Sequence, residues 1–249
     1  MIIKNISKLT KKKNISFFCP IGLNIGIKHY LFFSFIDKYR KAKIGYYELL
    51  VEEEKLIRKE KNFTKLNKIN NLKIFKDGCI VTSIIKDKNL LIFFCSVFKK
   101  NNKFDYKLKS YYFKTNLKFE LKSKPKVLFN KEFENFKFVG SAYCLKEKNI
   151  YTIYYSIGDD WLIHNKKKKY PIYKVYSAKT RNFKTYLYNK KPLIDFITKK
   201  GEYAIGRPSR VDLKSNLILF SVRNKKYYYS QKICRLENNR IKRLNLILN

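Results

Sequence analysis

Along most of this chain apolar and polar residues alternate with a period of two, in short runs bounded by Gly, Asn, Asp or Pro. Alternation of that period puts successive side chains on opposite faces of an extended backbone, so it predicts β-strands throughout. Four of the runs are aromatic or β-branched and end on serine: Tyr30-Leu-Phe-Phe-Ser34, Leu91-Ile-Phe-Phe-Cys-Ser96, Ile153-Tyr-Tyr-Ser156 and Leu217-Ile-Leu-Phe-Ser221. The serines are separated by 62, 60 and 65 residues. A small or proline-containing start recurs about 14 residues upstream of each, at Pro20, Thr82, Ser141 and Pro208. A fixed period of this kind means one supersecondary unit used repeatedly.

The pattern predicts strands Phe17–Asn24, Lys28–Phe35 and Ala42–Leu50 in the first unit, with a polar turn at Asp37-Lys-Tyr-Arg40. The charged stretch Glu52–Lys68 has little apolar periodicity and reads as helix or loop. The second unit opens at Asp77-Gly78 and continues through Ile80–Ile85, Asn89–Phe98 and Lys107–Phe113. The third has Phe138–Leu145, Ile150–Ile157, a long connection, and Ile172–Ala178; the fourth has Ser209–Leu213, Asn216–Val222 and Tyr227–Cys234.

A meander of three or four antiparallel strands leaves both faces wet when alone, and neighbouring sheets around an axis bury them. A β-propeller satisfies this, with any site expected where the first strand of each unit converges. A β-sandwich is the rival, but it does not require a repeat near 60 residues. With no flexible Gly/Ser linker between units, the chain reads as one domain over residues 1–249.

Composition narrows the picture. The 249 residues are 45% hydrophobic, enough for a substantial core, but the apolar runs are too short to span a membrane. The N-terminus, Met1 to Lys13, lacks a continuous apolar region and a small-residue cleavage site, so it is not read as a secretory signal, and a cytoplasmic location is the default expectation. Five cysteines, Cys19, Cys79, Cys95, Cys144 and Cys234, lack paired short spacing, which argues against a disulfide framework or metal site. The net charge of +38 is mostly lysine, which travels here with Asn, Ile, Phe and Tyr, while arginine, suited to bidentate recognition, is scarce. Lysines also alternate with apolar residues, as in Phe113-Lys-Thr-Asn-Leu-Lys-Phe119, and so belong on solvated faces. These features point away from a nucleic-acid partner and leave a surface that attracts anions.

In detail the repeats resemble the five-bladed β-propeller superfamily of arabinanases, levansucrases and invertases, and more closely an uncharacterised glycosidase-like branch associated with surface-polysaccharide synthesis. The resemblance is carried by Phe32-Phe-Ser-Phe-Ile-Asp37 with Arg40 and Ile44-Gly45-Tyr46, and by Lys76-Asp77-Gly78. It continues through Gly140-Ser-Ala142, Tyr154-Tyr-Ser-Ile-Gly158, Trp161, Tyr170-Pro-Ile-Tyr173 and Tyr176-Ser177. Glu202-Tyr-Ala-Ile-Gly-Arg207-Pro208 and Ser221-Val-Arg223 complete it, covering roughly Phe17 to Ser230. It implies an all-β propeller of five-bladed type, with four blades evident and the closing blade short or missing. The chain departs from the superfamily at Pro20, which stands where the catalytic glycosidases place a water-activating aspartate; no acidic residue occurs between Met1 and Ile36.

Glycoside cleavage needs one protonated and one ionised carboxyl. Asp77 and Glu202, each just ahead of an innermost strand, are the candidates for those roles, although Asp77-Gly78 is also an ordinary turn and Glu202 could pair with Arg207. Arg207, beside the rigid Pro208, offers a fork for a carboxylate or phosphate; Arg223 is a second arginine that could also be a solvated turn residue. Trp161 sits in the polar connection Gly158–Asn165, where it can stack on a sugar while Asp160 or a neighbour bonds its hydroxyls, or can plug a gap between blades. Tyr173 reads mainly as core, and His164 as solvated. No phosphate loop, nucleophile elbow or Cys/His dyad is present, so no cofactor or metal is expected. The sequence thus supports a protein that binds, and processes if catalytic, an anionic glycan or glycoconjugate of surface-polysaccharide metabolism. The alternative is a non-catalytic sugar-binding or scaffold propeller.

Overall fold

Each of the four serine-terminated runs forms the second strand of an antiparallel sheet, where its β-branched and aromatic residues are covered on both faces. The structure, a computed structural model, describes residues 17–52, 55–100, 106–129, 133–164, 168–210, 216–224, 229–237 and 240–244. Packing divides the chain into two compact units: residues up to 100 with 111–126, and residues 101–110 with 127–249.

The first unit begins with a four-stranded sheet in the order β1 (Phe17–Ile25), β2 (Lys28–Ile36), β3 (Ala42–Glu52), β4 (Lys55–Lys65). β4 corrects the expectation of helix or loop over Glu52–Lys68. An edge strand has only one paired side, and a lysine-rich edge resists further pairing, so its charges mask the strand period. It pairs along β3, and Phe63 near its end stacks on Phe33 at 5.6 Å. Only the four-residue helix α1 (Asn67–Asn70) follows. There the buried Asn70 carboxamide bonds both the N–H and the C=O of Ile44, each at 2.8 Å, in place of a neighbouring strand. The second sheet opens with β5 (Cys79–Asp87) and β6 (Leu90–Lys100) and takes the later half of β7 (Tyr106–Asn116). Phe32, Phe93 and Phe113 form the centre of this unit's core; Phe93 and Phe113 stack at 5.1 Å, and Phe32 meets Phe93 edge-on at 5.5 Å.

The short strand β8 (Lys126–Val127) pairs with β7, and in the second unit β9 (Phe138–Glu147), β10 (Ile150–His164), β11 (Lys168–Thr180) and β12 (Leu187–Tyr188) pair in that order. The early half of β7 joins β9 through the parallel pair Leu108 and Phe138. The last sheet runs β13 (Glu202–Arg210), β14 (Leu217–Asn224), β15 (Tyr229–Glu237), β16 (Arg240–Leu244). β13 starts seven residues before the expected Ser209, and 211–215 lie outside the described residues, as does Tyr227. Val175, Ile205, Phe220 and Cys234 form the core between these two sheets.

The sequence repeat has a backbone cause. Each terminal serine pairs with an innermost-strand residue: Phe18 with Ser34, Ile80 with Ser96, Gly140 with Ser156, and Gly206 with Ser221. The register slips immediately beyond this pair in three of the repeats, and one pair later, after Val81, in the second. In three of them the next residue adopts a left-handed backbone, with φ of 54° at Cys19, 53° at Ser141 and 51° at Arg207. The recurring small or proline position is therefore a β-bulge that re-aims the inner strand. Among the described residues, no helix is long and apolar enough to cross a membrane.

Candidate functional site

The second unit gathers arginine and aromatic side chains around one end of its two sheets. The geometry begins at Gly158, the last β10 residue paired with β9, opposite Phe138. A Cβ at Gly158 would lie 1.8 Å from the Ile172 carbonyl oxygen, so only glycine fits this close approach. The β10–β11 register slips there and then resumes, carrying β10 on to His164 with Trp161 opposite Pro171. Trp161 was expected in a loop; it stands on this strand extension instead. Its indole meets Phe138 edge-on at 4.6 Å and Tyr106 at 5.2 Å. Asp160 is exposed, and its Oδ1 accepts the Trp161 N–H at 2.7 Å. The side chain of His164 lies outside the described residues.

Tyr173 on β11 is half-buried rather than core, and it leans on β13: a Cβ at Gly206 would fall 2.6 Å from its Cε2. The next residue, Arg207, occupies the left-handed bulge before Pro208, a conformation that side-chain-bearing residues adopt only at a cost. Its guanidinium lies 5.4 Å from the Tyr229 ring centroid. Arg223, buried on β14, lies 4.4 Å from the same ring and 5.9 Å from that of Tyr173. One tyrosine ring thus has two guanidinium groups, one exposed and one buried, within cation–π range. Burial pushes the Tyr106 phenol above its ordinary pKa; the Tyr173 phenol adds to this, and Arg223 pulls it back. These side chains therefore share an electrostatic neighbourhood.

Glu202 is elsewhere in its bonding. It is buried, both carboxylate oxygens accept from Arg243 Nη1 at 2.9 and 2.7 Å, and Oε2 also accepts the Ile197 N–H at 2.8 Å. The considered pair of Glu202 with Arg207 does not form; Arg243 on β16 takes that place. Asp77 lies in the first unit, partly buried, after a 3₁₀ turn at Lys73–Phe75 and before Gly78, whose φ is 122°. It stands two residues ahead of β5, at the position expected from the sequence. Three participants were missed in the sequence. Tyr229 was submerged in the run Tyr227-Tyr-Tyr229, Tyr106 in an ordinary strand pattern, and Arg243 in the final segment.

All five cysteines are free thiols. Among the described residues no cluster of His, Cys, Asp and Glu is arranged to hold a metal ion.

No protein-family model and no curated protein matches the chain in sequence. Solved structures do match it in fold. A thermostable family-43 glycoside hydrolase superposes with a TM-score of 0.62 at 13% identity, over 91% of this chain and 74% of that one. The α-L-arabinofuranosidase from Lactobacillus brevis gives 0.60 at 11% identity, over 90% and 74%. The Cellvibrio cellulosa α-L-arabinanase complexed with arabinohexaose gives 0.59 at 13% identity, over 91% and 77%. The fold is that of the five-bladed β-propeller glycosidases. Four antiparallel meanders are present among the described residues, in agreement with the four repeats. At such identities the likeness is one of fold, and any activity has to be argued from the side chains.

Proposed function

We propose that this chain is a glycan-binding propeller whose ligand is an anionic saccharide or glycoconjugate of the surface-polysaccharide kind, held at Arg207, Arg223, Tyr229 and Tyr173 without being hydrolysed. The observation that carries this reading is the pair of guanidinium groups on the Tyr229 ring. Guanidinium forks match carboxylate or phosphate oxygens in bidentate geometry, and the tyrosine faces suit the apolar side of a sugar ring. Trp161, half-buried on the same unit, offers a further stacking edge. Two observations support binding over cleavage: Glu202 is engaged by Arg243, and the first unit's innermost strand carries Pro20 in place of an acid. The glycosidase fold, including a relative complexed with arabinohexaose, supports a saccharide as ligand.

The test is calorimetric titration of the purified chain with an oligogalacturonate and with a neutral arabino-oligosaccharide, with products followed by chromatography. The acidic oligosaccharide should bind at least about tenfold more tightly, and Arg207→Ala should weaken it by about tenfold. Equal affinity for both sugars, indifference to Arg207→Ala, or release of shortened product would each overturn the proposal.

A further inference from the structure

Between Asp160 and Asp195 the chain carries no acidic residue, yet it carries ten lysines and arginines. Part of this stretch forms the end of the third sheet remote from Trp161. There the segment Lys184-Thr-Tyr-Leu-Tyr-Asn-Lys-Lys191 contains β12, whose register sets Leu187 opposite Lys179 on β11. Leu187 is 74% exposed. It rims a groove of about 680 Å³ lined by Lys179, Lys190, Lys191, Leu193 and Ile241. Around the hairpin at the same end, a second hollow of about 520 Å³ is lined by Lys146, Lys148, Tyr151, Arg181 and the partly exposed Ile150. The one acid of that hairpin, Glu147, is engaged by Arg210 at 2.6 Å, so it does not offset the lysines.

We infer that this end of the third sheet is a docking surface for an anionic lipid bilayer. A solvated lysine face needs no leucine at its crest. An exposed leucine set among clustered lysines is the arrangement that enters a headgroup layer, the cations meeting lipid phosphates and the apolar tip reaching the acyl boundary. Lys184, Lys190 and Lys191 are all exposed, while Tyr186 and Tyr188 pack inward on Phe129 and leave Leu187 directed to solvent. A soluble polyanion would use the charge but gain nothing from Leu187. Along β10, Trp161 is ten residues from Tyr151, roughly 30 Å at strand rise, so docking here leaves the arginine–tyrosine site clear of the bilayer.

The experiment is co-sedimentation of the full chain with equimolar phosphatidylcholine–phosphatidylglycerol vesicles at about 0.15 M salt, with pure phosphatidylcholine as the neutral arm. Binding is expected to the anionic vesicles only. Leu187→Asp and the double change Lys190→Glu/Lys191→Glu should each weaken it by at least about tenfold. The matched change Lys86→Glu/Lys88→Glu, at an exposed hairpin of the first unit, should reduce it by less than about twofold. Absence of binding by the unmodified chain overturns the inference. So does a Leu187→Asp variant that binds normally, or an equal loss from the two lysine pairs, since either result means undirected charge attraction.

Discussion

The Ser34 hydroxyl accepts a hydrogen bond from the backbone N–H of Val81 at 3.0 Å, tying the second strand of the first sheet to the innermost strand of the next. Val81 precedes the register slip in β5, so its N–H is aimed away from the ladder and needs a partner. Ser34 is fully buried, which leaves no water to take over. Ser34→Ala should therefore destabilise the protein by about 1–3 kcal/mol, the range for a buried donor deprived of its acceptor. A urea denaturation curve showing an unchanged midpoint would remove this bond from any account of the repeat.

Glu202 and Arg243 make the next prediction. A carboxylate this buried, bonded to a guanidinium and to a backbone N–H, acts as a fixed tie between β13 and β16. Glu202→Gln strands the Arg243 charge and should lower stability by about 3 kcal/mol, while replacing both partners with apolar residues should recover part of the loss. Saccharide affinity of the folded variant should stay within about twofold of the parent. Loss of a measurable turnover with no change in melting temperature would instead make Glu202 a working acid.

The strands and their repeat could be read from the sequence because period-two alternation follows directly from the pleat. The expected strands of the first two repeats form within about three residues, whereas β10, β11 and β13 run four to seven residues beyond their expected bounds. β4 escaped because an edge strand needs few apolar residues, and β16 because its five residues carry too little pattern. The site was legible only in part. Arg207, Arg223, Tyr173 and Trp161 are brought into one unit, but what connects them is the Tyr229 ring, and nothing local distinguishes that tyrosine from its neighbours. Partner choice was illegible too. Glu202 has an arginine five residues away in sequence and bonds one 41 residues away, because a bulge turns Arg207 outward.

Gly206 positions Tyr173 through the absence of a side chain. A methyl at Gly206 would have to displace the Tyr173 ring edge, 2.6 Å from the ideal Cβ. Gly206→Ala should then lower stability by about 1–3 kcal/mol and weaken oligogalacturonate binding by about tenfold. Tyr173→Leu in the same background should restore much of the stability but not the affinity. Unaltered binding by Gly206→Ala would detach Tyr173 from the ligand site.

Burial also sets the response to alkali. Tyr106, Tyr143 and Tyr154 have phenol pKa values above the ordinary 10.0, raised first by burial, with Arg223 or Arg210 opposing. The Cys144 thiol is likewise pushed up from 9.0, and that of Cys234 up to about 12. For such groups the folded protein holds its protons at pH values where the unfolded chain has released them. Their contribution to stability is thus complete below the unfolded pKa and is lost as pH climbs from there toward the folded value. Melting temperature should hold between pH 7 and 8.5 and fall progressively above roughly pH 9, measured at high salt to mute lysine repulsion. Ellman's reagent at pH 8 should modify Cys144 and Cys234 slowly in the native protein and promptly in urea. Prompt native modification, or a melting temperature that rises through pH 10, would contradict a buried, proton-retaining set of thiols and phenols.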